Sequence, residues 1–299
     1  MAQVSRRGFL KSTLAGAALA GTGGSIPAFA QKKSATDWVT LGNSGVKVTR
    51  LAFGSGTFSG RVQRQLGQEE FTKLVRYAYD HGIRFFETAE GYSTPAMLGT
   101  ALKGLPRDSI RIMTKFGIRP GMDAEALRGK FDRARTDLQT EYFDIVLMHC
   151  MRTPTWRDDT KSAQDGLSEA KAKKVVLAHG ASVHGLPALA GFPGHKWLDV
   201  ALLRINHTGV RMDTPDARDT NDLGDVNKVV AAAKQIHAQG TGVLGMKLAG
   251  EGRFTNAEDR RAALKFVMDL GAVDAVTIGY KSTAEIDEAM ENMNRALNG

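Results

Sequence analysis

The sequence predicts an α/β protein, a (β/α)8 TIM barrel with an N-terminal β-hairpin. Eight short β-rich runs alternate with longer helical patterns along the chain. One run with its helix takes roughly 30 residues, which matches a barrel of roughly 250 residues. A doubly wound open sheet gives the same alternation, but no G-x-G-x-x-G motif opens a helix after the first run. The barrel is therefore the favoured fold.

The first thirty residues are typical of an export signal. Arg6 and Arg7 precede a weakly apolar, Gly/Ala-rich run that ends at Ala28-Phe29-Ala30. This pattern predicts a twin-arginine signal peptide over residues 1–30 and a mature barrel over residues 31–299. A basic N-terminus or an uncleaved anchor is the alternative, but the apolar run is well short of the ~20 residues that span a bilayer. We expect folding before export to the periplasm by the twin-arginine machinery, with no stable membrane insertion after cleavage.

The elements of the barrel follow in order. Two short runs around Asn43, Ser44 and Gly45 predict a hairpin that closes the bottom of the barrel. The eight predicted strands are short and apolar, and they are Leu51–Phe53, Arg84–Glu87, Arg111–Lys115, Phe143–His149, Val175–Gly180, Val200–Ile205, Thr241–Met246 and Ala275–Ile278. The predicted helices, several with an apolar stripe at i, i+3 and i+4, are Gln68–His81, Ala96–Lys103, Ala124–Leu138, Ala163–Lys171, Asp225–Ala238, Asn256–Leu270 and Thr283–Ala296.

Charge and cysteine content exclude several classes of protein. The chain has 40 basic and 32 acidic residues, and three of the basic ones lie in the predicted signal peptide. No Lys/Arg run with interleaved aromatic residues occurs, so a nucleic-acid partner has little support. Cys150 is the single cysteine, which excludes an intrachain disulfide. The charge favours an anionic small-molecule ligand. The oligomeric state stays open, although a closed barrel has no free sheet edge that demands a partner.

Four ionisable residues follow three successive predicted strands. Glu87 and Tyr92 come after the second strand, Lys115 after the third and His149 after the fourth. Each alone has an ordinary structural explanation, such as an ion pair, a packed ring, a solvated strand end or a core histidine. In a TIM barrel, however, the C-terminal ends of the strands meet at one face, where chemistry is carried out. We therefore expect the four side chains to converge there.

Four such side chains at one face of the barrel would be suited to transfer a proton to a carbonyl oxygen. A lysine beside Tyr92 favours the phenolate, so we expect the pKa of Tyr92 to move toward neutrality. Glu87 would hold Lys115 charged and oriented, and His149 would position the carbonyl oxygen. The reaction indicated is protonation of that oxygen as a cofactor delivers a hydride.

The order of several segments resembles the aldo/keto reductase family, whose barrels reduce aldehydes and ketones with a nicotinamide cofactor. The segments include LGNSGVKVTRLAFGSGTF, ETAEGY, LGTALKG, IMTKFG, YFDIVLMH, HGAS, GTGVLGMKLAG and IGYKSTAEIDEA. The resemblance implies an NAD(P)H-dependent carbonyl reductase in which Tyr92, Lys115 and His149 are catalytic. Glu87 stands where the family has aspartate, so it keeps the charge but adds a methylene.

The resemblance also implies a cofactor site. Ser182 would hold the nicotinamide carboxamide, although Val183 and Leu202 replace the family's neighbouring amide residues. Met246 would cover the nicotinamide face and Lys247 would meet the pyrophosphate.

The segment after the last strand implies the adenosine end of that site. Lys281 and Ser282 would receive a 2′-phosphate at a helix start, which favours NADP (NADPH) over NAD. A local alternative is a capping box formed by Ser282 and Glu285.

Two other functions stay open. The changes at Glu87, Val183, Leu202 and Met246 are compatible with a weak or inactive nucleotide-binding redox sensor. A metal-dependent hydrolase using His179, His184 or His207 is less favoured, since no H-x-H or H-E-x-x-H spacing occurs, and we predict no metal. The polar segment His207–Asp225 is either a lid over the cofactor or a solvated loop.

Overall fold

A closed barrel of eight parallel strands forms the body of the protein, in a computed structural model that describes residues 32–217 and 222–299. Its strands are β3 (Leu51–Gly54), β4 (Phe85–Glu87), β5 (Arg111–Gly117), β6 (Phe143–Met151), β7 (Val176–Val183), β8 (Val200–Arg204), β9 (Gly242–Met246) and β10 (Ala275–Gly279). They follow the chain order around the barrel, and β10 pairs with β3 to close it. The predicted TIM barrel is confirmed. The predicted signal peptide, residues 1–30, lies outside the described residues.

Apolar side chains fill the barrel interior. One buried cluster includes Phe85, Met113, Ile145, Leu202 and Leu244, each from a different strand. Such alternating inward positions make the interior of a TIM barrel a packed core instead of a pore. The cleft of the protein opens at the end where the loops after the strands meet.

The N-terminal hairpin closes the opposite end, as the sequence predicted. Its strands, β1 (Trp38–Thr40) and β2 (Lys47–Thr49), are antiparallel. Leu41 and Val48 are buried in the same cluster as the barrel interior. Gly42 has φ of 47°, and a Cβ there would lie 2.3 Å from the carbonyl oxygen of Gly240, just before β9. Only glycine allows the hairpin this close an approach to the barrel.

The helices surround the barrel. They are α1 (Arg61–Gln65), α2 (Gly67–Asp80), α3 (Pro95–Leu102), α4 (Ala124–Leu138), α5 (Trp156–Asp159), α6 (Lys161–Ala172), α7 (Leu186–Leu189), α8 (Val226–Ala238), α9 (Ala257–Asp269) and α10 (Thr283–Asn298). All seven predicted helices are present, whereas α1, α5 and α7 are too short to show a helical period in sequence. Within residues 32–217 and 222–299, no helix is long and apolar enough to cross a membrane.

The segment His207–Asp225 is tied to the barrel in its described part. Arg204, fully buried at the end of β8, donates from Nε (2.9 Å) and Nη2 (2.7 Å) to Oδ1 of Asp213. The same oxygen accepts from the backbone N–H of Gly185 at 2.6 Å. A buried ion pair with a further hydrogen bond fixes Asp213 against the barrel, whereas Pro215, Asp216, Asp222 and Leu223 of the same segment are exposed.

Candidate active site

The ends of β4 and β5 place Glu87 and Lys115 together inside the barrel. Lys115 is 0% exposed and Glu87 4%. The Nζ of Lys115 donates to Oε1 of Glu87 and, at 2.8 Å, to the carbonyl oxygen of Thr88. A buried ammonium is costly without a partner, and these two acceptors compensate it.

Tyr92 lies over this pair. The Nζ of Lys115 is 4.8 Å from the centroid of the Tyr92 ring, and the ring of His149 meets it edge-on at 5.5 Å. Gly56, in the loop after β3, lies directly against the ring, since a Cβ there would be 2.3 Å from Cε2 of Tyr92. The structure thus brings together all four residues that the sequence selected.

Glu90 supports the turn that carries Tyr92, which is the loop-fixing role that the sequence suggested for it. Residues Glu90–Tyr92 form a single 3₁₀ turn. The Oε1 of Glu90 accepts from the backbone N–H of Gly117 at 2.8 Å and from Nζ of Lys130 at 2.7 Å. Arg64 donates to the carbonyl oxygen of Tyr92. These bonds hold the turn against β5, α4 and α1.

The electrostatics of Tyr92 differ from the sequence expectation. Burial raises the pKa of the Tyr92 phenol above its ordinary value, and the charges of Cys150 and Glu251 act in the same direction. We expected a lower pKa from the nearby lysine, but loss of water around the phenolate is the larger effect. The phenol is therefore fully protonated at neutral pH, which is the form that can donate a proton.

Lys115 and His149 also titrate away from their ordinary ranges. Burial lowers the pKa of Lys115, an effect that electrostatic attraction to Cys150 opposes and repulsion from Lys247 reinforces. The contact with Glu87 favours the charged form of the lysine. Burial lowers the pKa of His149 well below its usual range, and repulsion from Lys115 and other nearby cations lowers it further. The imidazole is therefore neutral at pH 7 and can donate a hydrogen bond without carrying charge.

A cleft of about 710 Å³ leads away from these residues. It begins at Glu87 and Tyr92, passes Met246 and Lys247 after β9, and ends between α9 and α10. The Nζ of Lys247 lies 2.5 Å from Oε1 of Glu251, whose other oxygen is 3.0 Å from Nε of Arg211. The predicted cofactor residues Met246 and Lys247 thus face the cleft, and Lys247 is paired with the carboxylate of Glu251.

The outer end of the cleft carries two more ion pairs. The Nζ of Lys281 lies 3.7 Å from Oε1 of Glu285. Arg260 donates from Nε to Oε1 of Glu288 at 2.8 Å and from Nη2 to Oε2 at 3.0 Å. Ser282 caps α10 by accepting from the backbone N–H of Glu285, which confirms the Ser282 half of the predicted capping box. The Glu285 carboxylate reaches back to the N–H of Lys281, one residue before the cap.

The remaining predicted cofactor residue lies behind the cleft. Ser182 is 0% exposed, and its Oγ accepts from the backbone N–H of Cys150 at 2.8 Å. Val183 and Leu202 are also fully buried, and Leu202 packs in the barrel interior. The position where the family resemblance implied an amide is therefore occupied by core packing.

Sequence reasoning missed several residues of the cleft, namely Gly54, Gly56, Glu251, Arg260, Thr277 and Glu288. A signal existed for two of them. Glu251 stands between two glycines just after a strand, and Thr277 is a polar residue within an apolar strand. The helix residues have no local signal, because a charged side chain on a helix is ordinarily solvated.

The three histidines of the hydrolase alternative occupy separate places. His179 stacks on Trp197 at 4.5 Å, His184 meets His149 edge-on at 6.5 Å, and His207 packs on Phe254 at 5.3 Å. Over the described ranges, no group of three His, Cys, Asp or Glu side chains could hold a metal ion. These positions offer no support for a metal-dependent reaction.

A parallel barrel with a buried Lys–carboxylate pair, a tyrosine and a histidine at its open end is the arrangement that the sequence resemblance implied, and it is suited to acid–base chemistry. The aldo/keto reductase family model matches residues 50–293. The chain therefore belongs to the aldo/keto reductase family, whose members are NAD(P)H-dependent oxidoreductases.

Curated relatives match over part of the chain. It is 32% identical over 173 residues to a probable aldo-keto reductase 1 of Glycine max, covering 50% of this chain and 49% of that protein. It is 36% identical over 118 residues to L-galactose dehydrogenase of Arabidopsis thaliana, covering 37% of this chain and 36% of that protein. It is 36% identical over 176 residues to versiconal hemiacetal acetate reductase of Aspergillus parasiticus, covering 48% and 50%. The matches span about half, or less, of these curated relatives.

Solved structures match over nearly the whole barrel. A putative aldo-keto reductase from Pseudomonas aeruginosa superposes with a TM-score of 0.70 at 20% identity, covering 89% of this chain and 98% of that one. An aldo-keto reductase from Bacillus halodurans, in its holo form, gives a TM-score of 0.67 at 17% identity, covering 87% and 94%. At these identities the likeness shows the fold.

We predict that His149 stays neutral as the pH falls through 6.5, the ordinary value for histidine, because its folded-state pKa is lowered. The unfolded chain takes up that proton and the folded chain does not, so His149 makes the free energy of unfolding decrease below about pH 6.5. Imidazole NMR resonances, assigned with His149→Gln, measure the titration. A His149 midpoint at or above 6.5 would contradict the prediction.

Proposed function

We propose that the protein is an NAD(P)H-dependent reductase of small-molecule aldehydes or ketones, with Tyr92 as the proton donor. The observation that carries this proposal is the buried Lys115–Glu87 pair directly beneath the Tyr92 ring, at the inner end of a deep cleft. A protonated phenol above a buried ammonium is suited to deliver a proton and to stabilise the phenolate left behind.

The cleft is compatible with a nicotinamide dinucleotide in size and in the chemistry of its walls. Its volume of about 710 Å³ lies in the range of ligand pockets. Met246 offers a thioether next to Tyr92 for a flat ring, and Lys247 offers a cation for a diphosphate. Lys281 and the start of α10 lie at the outer end, where a helix N-terminus favours an anion. A bound reduced nicotinamide supplies the hydride.

The protein's own residues account for the rest of the reaction. Tyr92 holds the proton that passes to the carbonyl oxygen. Lys115 stabilises the phenolate that results, and Glu87 keeps the lysine in place. The neutral imidazole of His149, edge-on to the Tyr92 ring, donates a hydrogen bond that orients the carbonyl oxygen.

The preference for NADP over NAD, inferred from Lys281 and Ser282, stays a prediction. Ser282 is engaged as a helix cap, and Lys281 and Arg260 each face a glutamate. A 2′-phosphate would have to compete with those carboxylates for the two cations. Titrating the protein with NADPH and NADH, followed by nicotinamide fluorescence, tests the cofactor proposal and measures the preference directly.

Our test of the catalytic role is Tyr92→Phe. We expect kcat/KM with an activated aldehyde to fall by about 10²–10⁴-fold, since the phenol is the general acid, while the Kd for NADPH changes by no more than about twofold. Tyr142→Phe is the matched control, because that ring packs against Arg107. Retained turnover in Tyr92→Phe contradicts the proposal. Wild-type binding without turnover on a broad carbonyl panel would instead support a nucleotide-binding redox sensor.

A second prediction concerns Glu251, which faces Lys247 where a diphosphate would bind. Glu251→Gln removes the competing negative charge, so we expect ADP-ribose to bind about tenfold more tightly by calorimetry, with a stronger dependence on salt. Glu258→Gln is the control, since that side chain is exposed on the first turn of α9. Weaker binding in Glu251→Gln would mean that the glutamate is needed to position Lys247.

We also propose export through the twin-arginine route, on the motif in residues 1–30. This route carries folded proteins, so a cofactor could be bound before export. Arg6→Lys with Arg7→Lys should leave the unprocessed chain in the cytoplasm, as measured by cell fractionation and mass determination of the N-terminus. Unchanged processing and localisation of that double variant would contradict export by this route.

A further inference from the structure

The carboxylate of Glu87 connects strands on both sides of its own. Its Oε1 accepts from Lys115 on β5, and its Oε2 accepts from the hydroxyl of Thr277 on β10 at 3.2 Å. In the barrel, β3 lies between β4 and β10. The side chain of Glu87 must therefore pass over β3 to reach Thr277.

Gly54 is the residue of β3 at that crossing. It is the register partner of Glu87 across the β3–β4 pair. A Cβ at position 54 would lie 2.7 Å from Oγ1 of Thr277 and 3.0 Å from Oε2 of Glu87. Gly54 is not among the residues with positive φ, so its backbone would accept any side chain. Glycine is required at position 54 because there is no space for a side chain, and not because of its backbone conformation.

The Thr277 hydroxyl matters because the carboxylate is buried. Glu87 is 4% exposed and Thr277 8%, so water contributes little to solvating Oε2. Without the hydroxyl, one carboxylate oxygen loses its hydrogen-bond donor in a site of low dielectric constant. That loss disfavours the ionised carboxylate that keeps Lys115 in place.

From this arrangement we infer that Thr277 and Gly54 are positioning residues for the Lys115–Glu87 pair. Gly54 leaves the space that a glutamate needs at position 87, and Thr277 fixes the second carboxylate oxygen so that the first is directed at Lys115. The inference rests on the proposed function only for its kinetic readout.

Thr277→Val and Thr277→Ser form the first test, because valine keeps the shape and serine keeps the hydroxyl. We expect kcat for an activated aldehyde to fall about tenfold or more in Thr277→Val, as the lost bond involves a charged acceptor, and to recover to within about threefold of wild type in Thr277→Ser. The Kd for NADPH should change by less than about threefold in both variants. Equal kcat values in the two variants would overturn the role of Thr277.

A double-mutant cycle of Gly54→Ala with Glu87→Asp tests the space argument. Aspartate is one methylene shorter and does not reach across β3. We expect Gly54→Ala to lower kcat about tenfold or more in wild type and by less than about threefold in the Glu87→Asp background. The other close contacts, 2.7 Å to Oγ1 of Thr277 and 3.2 Å to the backbone carbon of Ile278, are common to both backgrounds and cancel. In the Glu87→Asp background a displaced Thr277 no longer affects the carboxylate, because the shorter side chain does not reach it. Additive effects would overturn the role of Gly54.

Two controls keep the outcomes distinguishable. Thermal unfolding of each variant shows whether it is folded. If Gly54→Ala does not fold, the comparison of Thr277→Val with Thr277→Ser still tests the positioning role of Thr277. Tyr92→Phe, measured alongside, separates the two proposals. If Tyr92→Phe abolishes turnover while Thr277→Val behaves as Thr277→Ser, the positioning inference fails and the proposed function stands. If Tyr92→Phe retains turnover, the proposed function itself fails.

Discussion

The contact between Lys115 and Glu87 is the interaction on which the site depends. An ammonium group that is 0% exposed is tolerated only because a carboxylate and a backbone carbonyl oxygen accept its hydrogen bonds. Those acceptors are in place because β4 and β5 are neighbours in a closed barrel. The hairpin packs against the apolar interior at the other end, and Tyr92 lies over the charged pair at the open end.

Charge balance is the second constraint, and it extends along the cleft. The three basic side chains that line the cleft in the described part of the chain each face a glutamate: Lys247 with Glu251, Lys281 with Glu285, and Arg260 with Glu288. An anionic ligand would therefore exchange with carboxylates that are already present instead of meeting excess positive charge. Such exchange lowers affinity, which suits a cofactor that must be released and replaced.

Small residues set the geometry around the reactive groups. Gly56 lets the Tyr92 ring lie directly on the loop after β3, and Gly54 lets the Glu87 side chain cross β3. Glu90 then holds the Tyr92 turn to β5 and α4. The site is thus positioned by short contacts between strands and turns, which is the arrangement that keeps a proton donor within the narrow tolerance that catalysis requires.

The sequence by itself determined the barrel, the bounds of its strands to within a few residues, and the four polar residues at their ends, because alternation and periodicity are local properties. It also determined the cap at Ser282, which depends on a spacing of three residues. Only the tertiary structure decided that Thr277 meets Glu87, 190 positions away, because that contact exists only when β10 closes on β3. The tertiary structure also decided the direction in which the pKa of Tyr92 is shifted. Burial of the phenol raises this pKa, and that effect outweighs the lowering expected from the nearby lysine.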